Sequence, residues 1–109
     1  MFVALYEFQV RSGCDADFEI AWQSVTDMIF DLRGSWGSRL HTTEAPGVYV
    51  AYAQWPSAEA FDELETPVSP GLMAKIEHMR AMTDSIRLVY RMTVCEDRLQ
   101  TSDGRSIGR

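Results

Sequence analysis

Residues 48–55 read Val48-Tyr49-Val50-Ala51-Tyr52-Ala53-Gln54-Trp55, with Thr43-Glu44-Ala45-Pro46-Gly47 before them and Pro56 directly after. The run is rich in β-branched and aromatic side chains, and both flanks are turn-forming by composition. It therefore predicts a strand, apolar on both faces. Such a strand lies within a sheet that is covered on both sides. The fold has to provide two covers.

Reading outward toward the N-terminus, Phe2 to Val10 also alternates. Phe2, Ala4, Tyr6, Phe8 and Val10 share one face, while Val3 and Leu5 make the other face apolar as well. Arg11-Ser12-Gly13 ends that strand. Asp15, Asp17 and Glu19 then place negative charge in the first turns of a helix, where the dipole favours it. Phe18, Trp22, Val25, Ile29 and Leu32 recur at helical spacing, and Gly34 stops the helix. Trp36 to His41 predicts a short second strand.

Toward the C-terminus, Ser57 is placed to cap a helix carrying Ala60, Phe61 and Leu64. Pro67 interrupts it. Ser69-Pro70 supplies a cap and a first-turn proline for a further helix with Leu72, Ile76 and Met79 on one side. Ser85 to Val94 alternates again, with Ile86, Leu88, Tyr90, Met92 and Val94 on one face and Arg87 and Arg91 on the other. Residues 1–97 form one domain in this reading, and residues 98–109 form a flexible tail without a core-forming pattern.

The element order is thus β, α, β, β, broken α, β. Two right-handed crossovers sharing one antiparallel sheet give an α+β, ferredoxin-like βαββαβ fold, its helices on one face. The other face is bare yet apolar. Val3, Leu5, Tyr49, Ala51, Ala53 and Val89, or their opposite-face neighbours, would stay wet there. An exposed apolar sheet of that extent marks an interface. Pairing two identical sheets about a two-fold axis closes it, which predicts a homodimer built as a dimeric α/β barrel.

The chain has 109 residues and a net charge of −6. Its one lysine is Lys75, and no basic cluster offers a match to phosphates, which excludes nucleic acid as the expected partner. No apolar run is long enough for a membrane span, and the start MFVALYEF lacks the form of a signal peptide. A cytoplasmic location is the resulting expectation. Cys14 and Cys95 are too few for a disulfide framework. His41 and His78 show no metal-ligand spacing, so no metal is expected. No Gly-rich phosphate loop accompanies the strands, and no cofactor is expected either.

The string Ala53-Gln54-Trp55-Pro56-Ser57-Ala58-Glu59-Ala60-Phe61 resembles the antibiotic biosynthesis monooxygenase family. In that family a third strand ends in Trp, followed by Ser, Glu-Ala and an aromatic residue. The likeness extends in element order over residues 2 to 94. It implies a small dimeric protein that oxidises polycyclic phenols to quinones with dioxygen and no metal, flavin or haem. Trp55 matches the family's strand-end Trp. Ala51 and Phe61 stand where the quinone-forming members have asparagine and tyrosine, and Lys75 or Arg80 meets the basic position on the later helix. A haem-degrading branch wants an Asn on the first strand, where this chain has Tyr6 and Glu7, and a Trp where it has Leu64.

Each candidate residue has a bland reading beside the functional one. Trp55 is either a catalytic pocket wall or a core residue capping the sheet. Trp22 lies on a core stripe that also lines any pocket under the helices. Tyr6 and Tyr52 carry hydroxyls that need partners when buried, and either could orient a phenol. Phe61 adds an aromatic wall. His78 and Arg80 are solvated helix residues or anchors for an anionic ligand. Arg87 and Arg91 are structural ion-pair formers or anion binders. The resulting expectation is a monooxygenase-like protein acting on a small aromatic or polycyclic substrate. Its rival is a non-catalytic dimer that binds the same class of ligand.

Overall fold

The computed structural model describes residues 1–63 and 69–99. Strand β1 spans Phe2–Val10, helix α1 Asp15–Arg33, strand β2 Ser38–Thr42 and strand β3 Val48–Trp55. Helices α2 (Ala58–Asp62) and α3 (Pro70–Arg80) follow, and strand β4 (Thr83–Thr93) completes the sheet. The strands lie in the order β2-β3-β1-β4, every neighbouring pair antiparallel. This is the ferredoxin-like α+β fold, with helices packed on one face. The expected helix position Leu64 and the break at Pro67 lie outside the described residues, as do residues 100–109 of the expected tail.

Local chemistry sets the boundaries. Gly34 ends α1 in the left-handed conformation, φ 73°, which a residue without Cβ adopts without strain. The Ser57 side chain accepts from the Ala60 amide and caps α2, and Ser69 does the same for α3 through Leu72, with Pro70 in the first turn. Strand β2 begins at Ser38 rather than Trp36. The Trp36 amide still reaches the Gln54 carbonyl at 2.9 Å, but its side chain stays exposed.

The α1 stripe packs as its spacing demands. Phe18 is fully buried, with its ring centroid 5.1 Å from Phe8 and 5.2 Å from Tyr49. Ala21 and Val25 are buried beside it, and Trp22 and Ile29 close the layer. Truncating such a side chain to Ala costs about 3–5 kcal/mol in a core of this kind. Leu32 shares the stripe but is half exposed, so burial ends a turn before the helix does.

Strand β4 departs from plain alternation. Leu5 pairs with Tyr90 but Tyr6 pairs with Leu88, so Val89 is an extra residue, and a second shift falls between Gln9 and Val10. A bulge of this kind re-aims every side chain beyond it. Ile86 and Leu88 face the helices, whereas Tyr90 and Met92 turn to the open face. Arg87 stays on the open face and pairs with Glu7 at 3.0 Å. Arg91 turns to the helix face, opposite Ala4. The shared face expected for Arg87 and Arg91 is therefore corrected by one inserted residue that alternation cannot see.

The open face carries an apolar patch, as the two-faced strands required, but Glu7, Arg87, Arg39 and Gln54 share that face, and the membership of the patch differs in part. Tyr49, Ala51 and Ala53 face the helices, and their neighbours Val48, Val50 and Tyr52 line the open side with Leu5, Tyr90 and Met92. Val3 is on this side too but is already buried, between Gln54 and Met92 in the register.

Candidate functional site

Between the helix face of the sheet and the three helices lies a cavity of about 210 Å³. Alternation builds its floor. Tyr6 and Phe8 rise from β1, and Ala51, Ala53 and Trp55 from β3. Across the strands Ser38, Ala53 and Ala4 lie side by side in register. These small side chains leave the volume that larger ones would fill. Trp22, Val25 and Ile29 on α1, Phe61 on α2, and Ile76, Met79 and Arg80 on α3 supply the walls. A mostly apolar hollow with a few polar groups is the usual form of a small-molecule site.

The polar groups are specific. Trp55 is 2% exposed, and its indole Nε1 has no hydrogen-bond partner; among the described residues it is the one buried side-chain N or O atom in that state. An unpaired buried donor costs about 1–3 kcal/mol, and here it lies in a residue that forms the cavity wall. Ser35 Oγ accepts from the Gly37 amide at 2.9 Å, and Ser38 Oγ donates to the Tyr52 carbonyl at 3.1 Å. Both serines line the cavity with Thr26. Arg80 brings the positive charge.

An aromatic cluster frames the Trp55 end. Phe61 meets Trp55 edge-on, with centroids 5.6 Å apart, and packs at 5.4 Å against Phe2 and 6.5 Å against Tyr6. At the far end of the same layer, Tyr49 donates toward Asp15 Oδ2 at 3.0 Å and Glu19 Oε2 at 2.9 Å. Burial, then the hydrogen bonds to Glu19 and Asp15, push the Tyr49 phenol well above its ordinary value. Tyr49 is thus a neutral donor tying α1 to β3.

Of the residues singled out in the sequence, Tyr6, Trp22, Trp55, Phe61 and Arg80 come together around the cavity. Two do not. Tyr52 points to the open face, in register with Leu5 and Arg39, because strand alternation separates it from Ala51 and Ala53. His78 is exposed in a shallow hollow between α1 and α3 with Ser24 and Lys75, one helical side away from Met79 and Arg80. Sequence reasoning missed Ser38, which alternation with Leu40 could have placed, and Ser35 and Thr26, which no pattern marks. Among the described residues, no group of three or more His, Cys, Asp or Glu side chains could hold a metal ion, and no helix is long and apolar enough to cross a membrane.

Comparison with known proteins adds the family. Solved structures share the fold. SnoaB, a cofactor-independent oxygenase from Streptomyces nogalater solved as a single-residue mutant, superposes with a TM-score of 0.69 at 21% identity over 87% of this chain and 93% of that one. A protein from Deinococcus radiodurans named for the antibiotic biosynthesis monooxygenases gives 0.72 at 10% identity, over 94% of this chain and 100% of that one. One from Bordetella bronchiseptica, named likewise, gives 0.71 at 17% identity, over 87% and 97%. A search of curated proteins finds no match. The family model for antibiotic biosynthesis monooxygenase matches residues 1–65, from β1 through α2 and past the Trp55 wall. The chain belongs to the antibiotic biosynthesis monooxygenase family.

Proposed function

We propose that the protein is a cofactor-independent monooxygenase that oxidises a small, electron-rich aromatic substrate in the cavity under α1, acting as a homodimer joined through the open sheet face. The observation that carries this reading is the apolar cavity itself, walled in part by Trp55, whose indole N–H is buried without a protein partner. A small shift of the indole edge toward the cavity would let a ligand oxygen satisfy that donor. A phenolate or a quinone carbonyl is such an acceptor, and both are flat enough to lie against Trp22 and Phe61. A cavity of about 150 Å³ accepts benzene, so the larger hollow here suits a ring system of one or two fused rings.

The chemistry needs no external reductant. A phenol that gains one oxygen atom from dioxygen at a ring C–H becomes a quinone, and the second oxygen atom leaves as water. All four electrons come from the phenol and its ring. The protein's part is to favour the electron-rich phenolate, through the Arg80 charge and the Trp55 donor, and to keep the ring in an apolar space that dioxygen enters readily. The likeness to SnoaB in fold supports this reading, as does membership of the family.

Ala51 and Phe61 favour a second reading, ligand binding without turnover, because both place hydrocarbon on the cavity wall where a polar group would assist chemistry. 1-Naphthol and 2-naphthol, each of two fused rings, distinguish the two. Turnover consumes one dioxygen per quinone formed and stops under nitrogen. Binding that persists in both atmospheres with no oxygen uptake for either compound rejects the monooxygenase and leaves the binder.

A further inference from the structure

Helix α2 is five residues long, too short to hold itself as a helix in water. Yet it supplies Phe61, the cavity wall that touches Trp55. Its place must be fixed from outside. One hold is the Ser57 cap at its start. Another is Arg33, the last residue of α1, which donates to the Glu63 carbonyl at 3.1 Å.

The third hold is Arg91. Its guanidinium forms a fork on Asp62, Nη1 to Oδ1 at 2.8 Å and Nη2 to Oδ2 at 3.2 Å. The same group lies 5.2 Å from the Phe2 ring centroid and 5.3 Å from that of Phe61. A flat guanidinium can stack and pair at once, which an ammonium cannot. Two features of the chain make this reach possible. The bulge at Val89 turns Arg91 from the open face to the helix face. Ala4, its register partner on β1, leaves the space across which the long side chain lies.

We propose that Arg91 is a positioning residue for the cavity: it holds Phe61 against Trp55 through Asp62 and the Phe61 ring, and so sets the width and the opening of the ligand site. The proposal deepens the reading of the cavity as an aromatic-ligand site and rests on it. The bulge then has a function, since a regular β4 would point Arg91 at the open face and remove its hold on α2. Ligand exchange proceeds by release of the fork and displacement of α2.

The test uses the full chain carrying Trp36→Phe, which removes an exposed indole and leaves the emission of Trp22 and Trp55, both at the cavity. Arg91→Lys keeps the charge and loses the fork; Asp62→Asn, at an exposed position, is the milder variant. Acrylamide quenching is measured without ligand, and the 2-naphthol dissociation rate is measured by stopped flow. In both variants quenching and dissociation should rise about fivefold, the scale of losing one well-formed surface ion pair. The swap Arg91→Asp with Asp62→Arg should return part of that effect. A merely structural role would lower the melting temperature and leave both rates unchanged below the transition. Unchanged quenching and dissociation in folded Arg91→Lys and Asp62→Asn overturn the proposal. Increased quenching in a protein whose parent takes up no 2-naphthol supports the placement of Phe61 by Arg91 and counts against the ligand reading instead.

Discussion

Trp55 and Phe61 meet edge-on at 5.6 Å, and the indole N–H of that pair is buried without a protein partner. Packing alone explains the ring contact but not the unpaired donor. Trp55→Phe keeps an aromatic ring and removes the donor, at a stability cost of about 1–3 kcal/mol. Affinity for 2-naphthol should fall about tenfold more than affinity for naphthalene, which has no acceptor oxygen; that ratio corresponds to about 1.4 kcal/mol, one hydrogen bond. Titration calorimetry on folded protein gives both affinities. An equal loss for the two ligands makes Trp55 a packing residue.

Tyr49 gives a pH signature. Its folded-state pKa is raised by burial and by Glu19 and Asp15, so the folded protein holds the phenol proton more tightly than the unfolded chain. The linked stability is complete below the unfolded value of about 10 and is lost as pH rises above it. Urea midpoints measured upward from neutral pH should fall steeply above about pH 10. Tyr49→Phe has no phenol to ionise. It should cost about 1–2 kcal/mol at neutral pH through the lost hydrogen bonds, yet show a shallower alkaline decline. Parallel curves for the two proteins would remove Tyr49 as the cause.

The open face predicts self-association. Light scattering at micromolar concentration should give about twice the 12.4 kDa chain mass. Tyr90 is the position to disturb, because it is 61% exposed in the single chain and its replacement leaves the core intact. Tyr90→Asp should yield a folded monomer, since an unpaired carboxylate is costly inside a sheet-to-sheet interface. A wild-type monomer, or a Tyr90→Asp dimer as tight as wild type, argues for another role of this face.

Periodicity made most of the fold legible. The bounds of β1 can be read from alternation, those of β3 from its turn-forming flanks, and the caps Ser57 and Ser69 from residue type, because each of these signals is local. The bulge at Val89 was not legible. An inserted residue leaves the composition of β4 unchanged and shows itself only in the pairing with β1, so Tyr90, Met92 and Arg91 each went to the wrong face. The site was legible where it shares the core pattern, at Tyr6, Trp22, Trp55 and Phe61. Tyr52 could have been excluded from the cavity by the alternation that placed Trp55. Ser35 and Thr26 carry no periodic signal, and the Tyr49 link to Asp15 and Glu19 depends on how α1 lies across β3. Tertiary geometry alone sets those.

Ala53 offers the sharpest separation of cavity from core. It sits on the floor in register with Ala4 and Ser38, next to Trp55 along the face. The cavity above it leaves apolar side chains less closely packed than a filled core would. Ala53→Leu places added hydrocarbon into that space. If the cavity were an incidental packing defect, filling it would stabilise the protein by about 1 kcal/mol and change nothing else. If it is the ligand site, the same variant gains or keeps stability while 2-naphthol binding and any oxygen uptake disappear. Some of the gain is at risk from crowding against Trp55, since overpacking costs about 1–3 kcal/mol where neighbours cannot shift. Ala53→Val is the smaller step and should reduce affinity in proportion to the volume removed. Both variants are compared with wild type by thermal melts and by naphthol titration of the same samples. A stable Ala53→Leu protein that still binds 2-naphthol with wild-type affinity places the ligand elsewhere, and the cavity would then be a consequence of small residues on the sheet rather than their purpose.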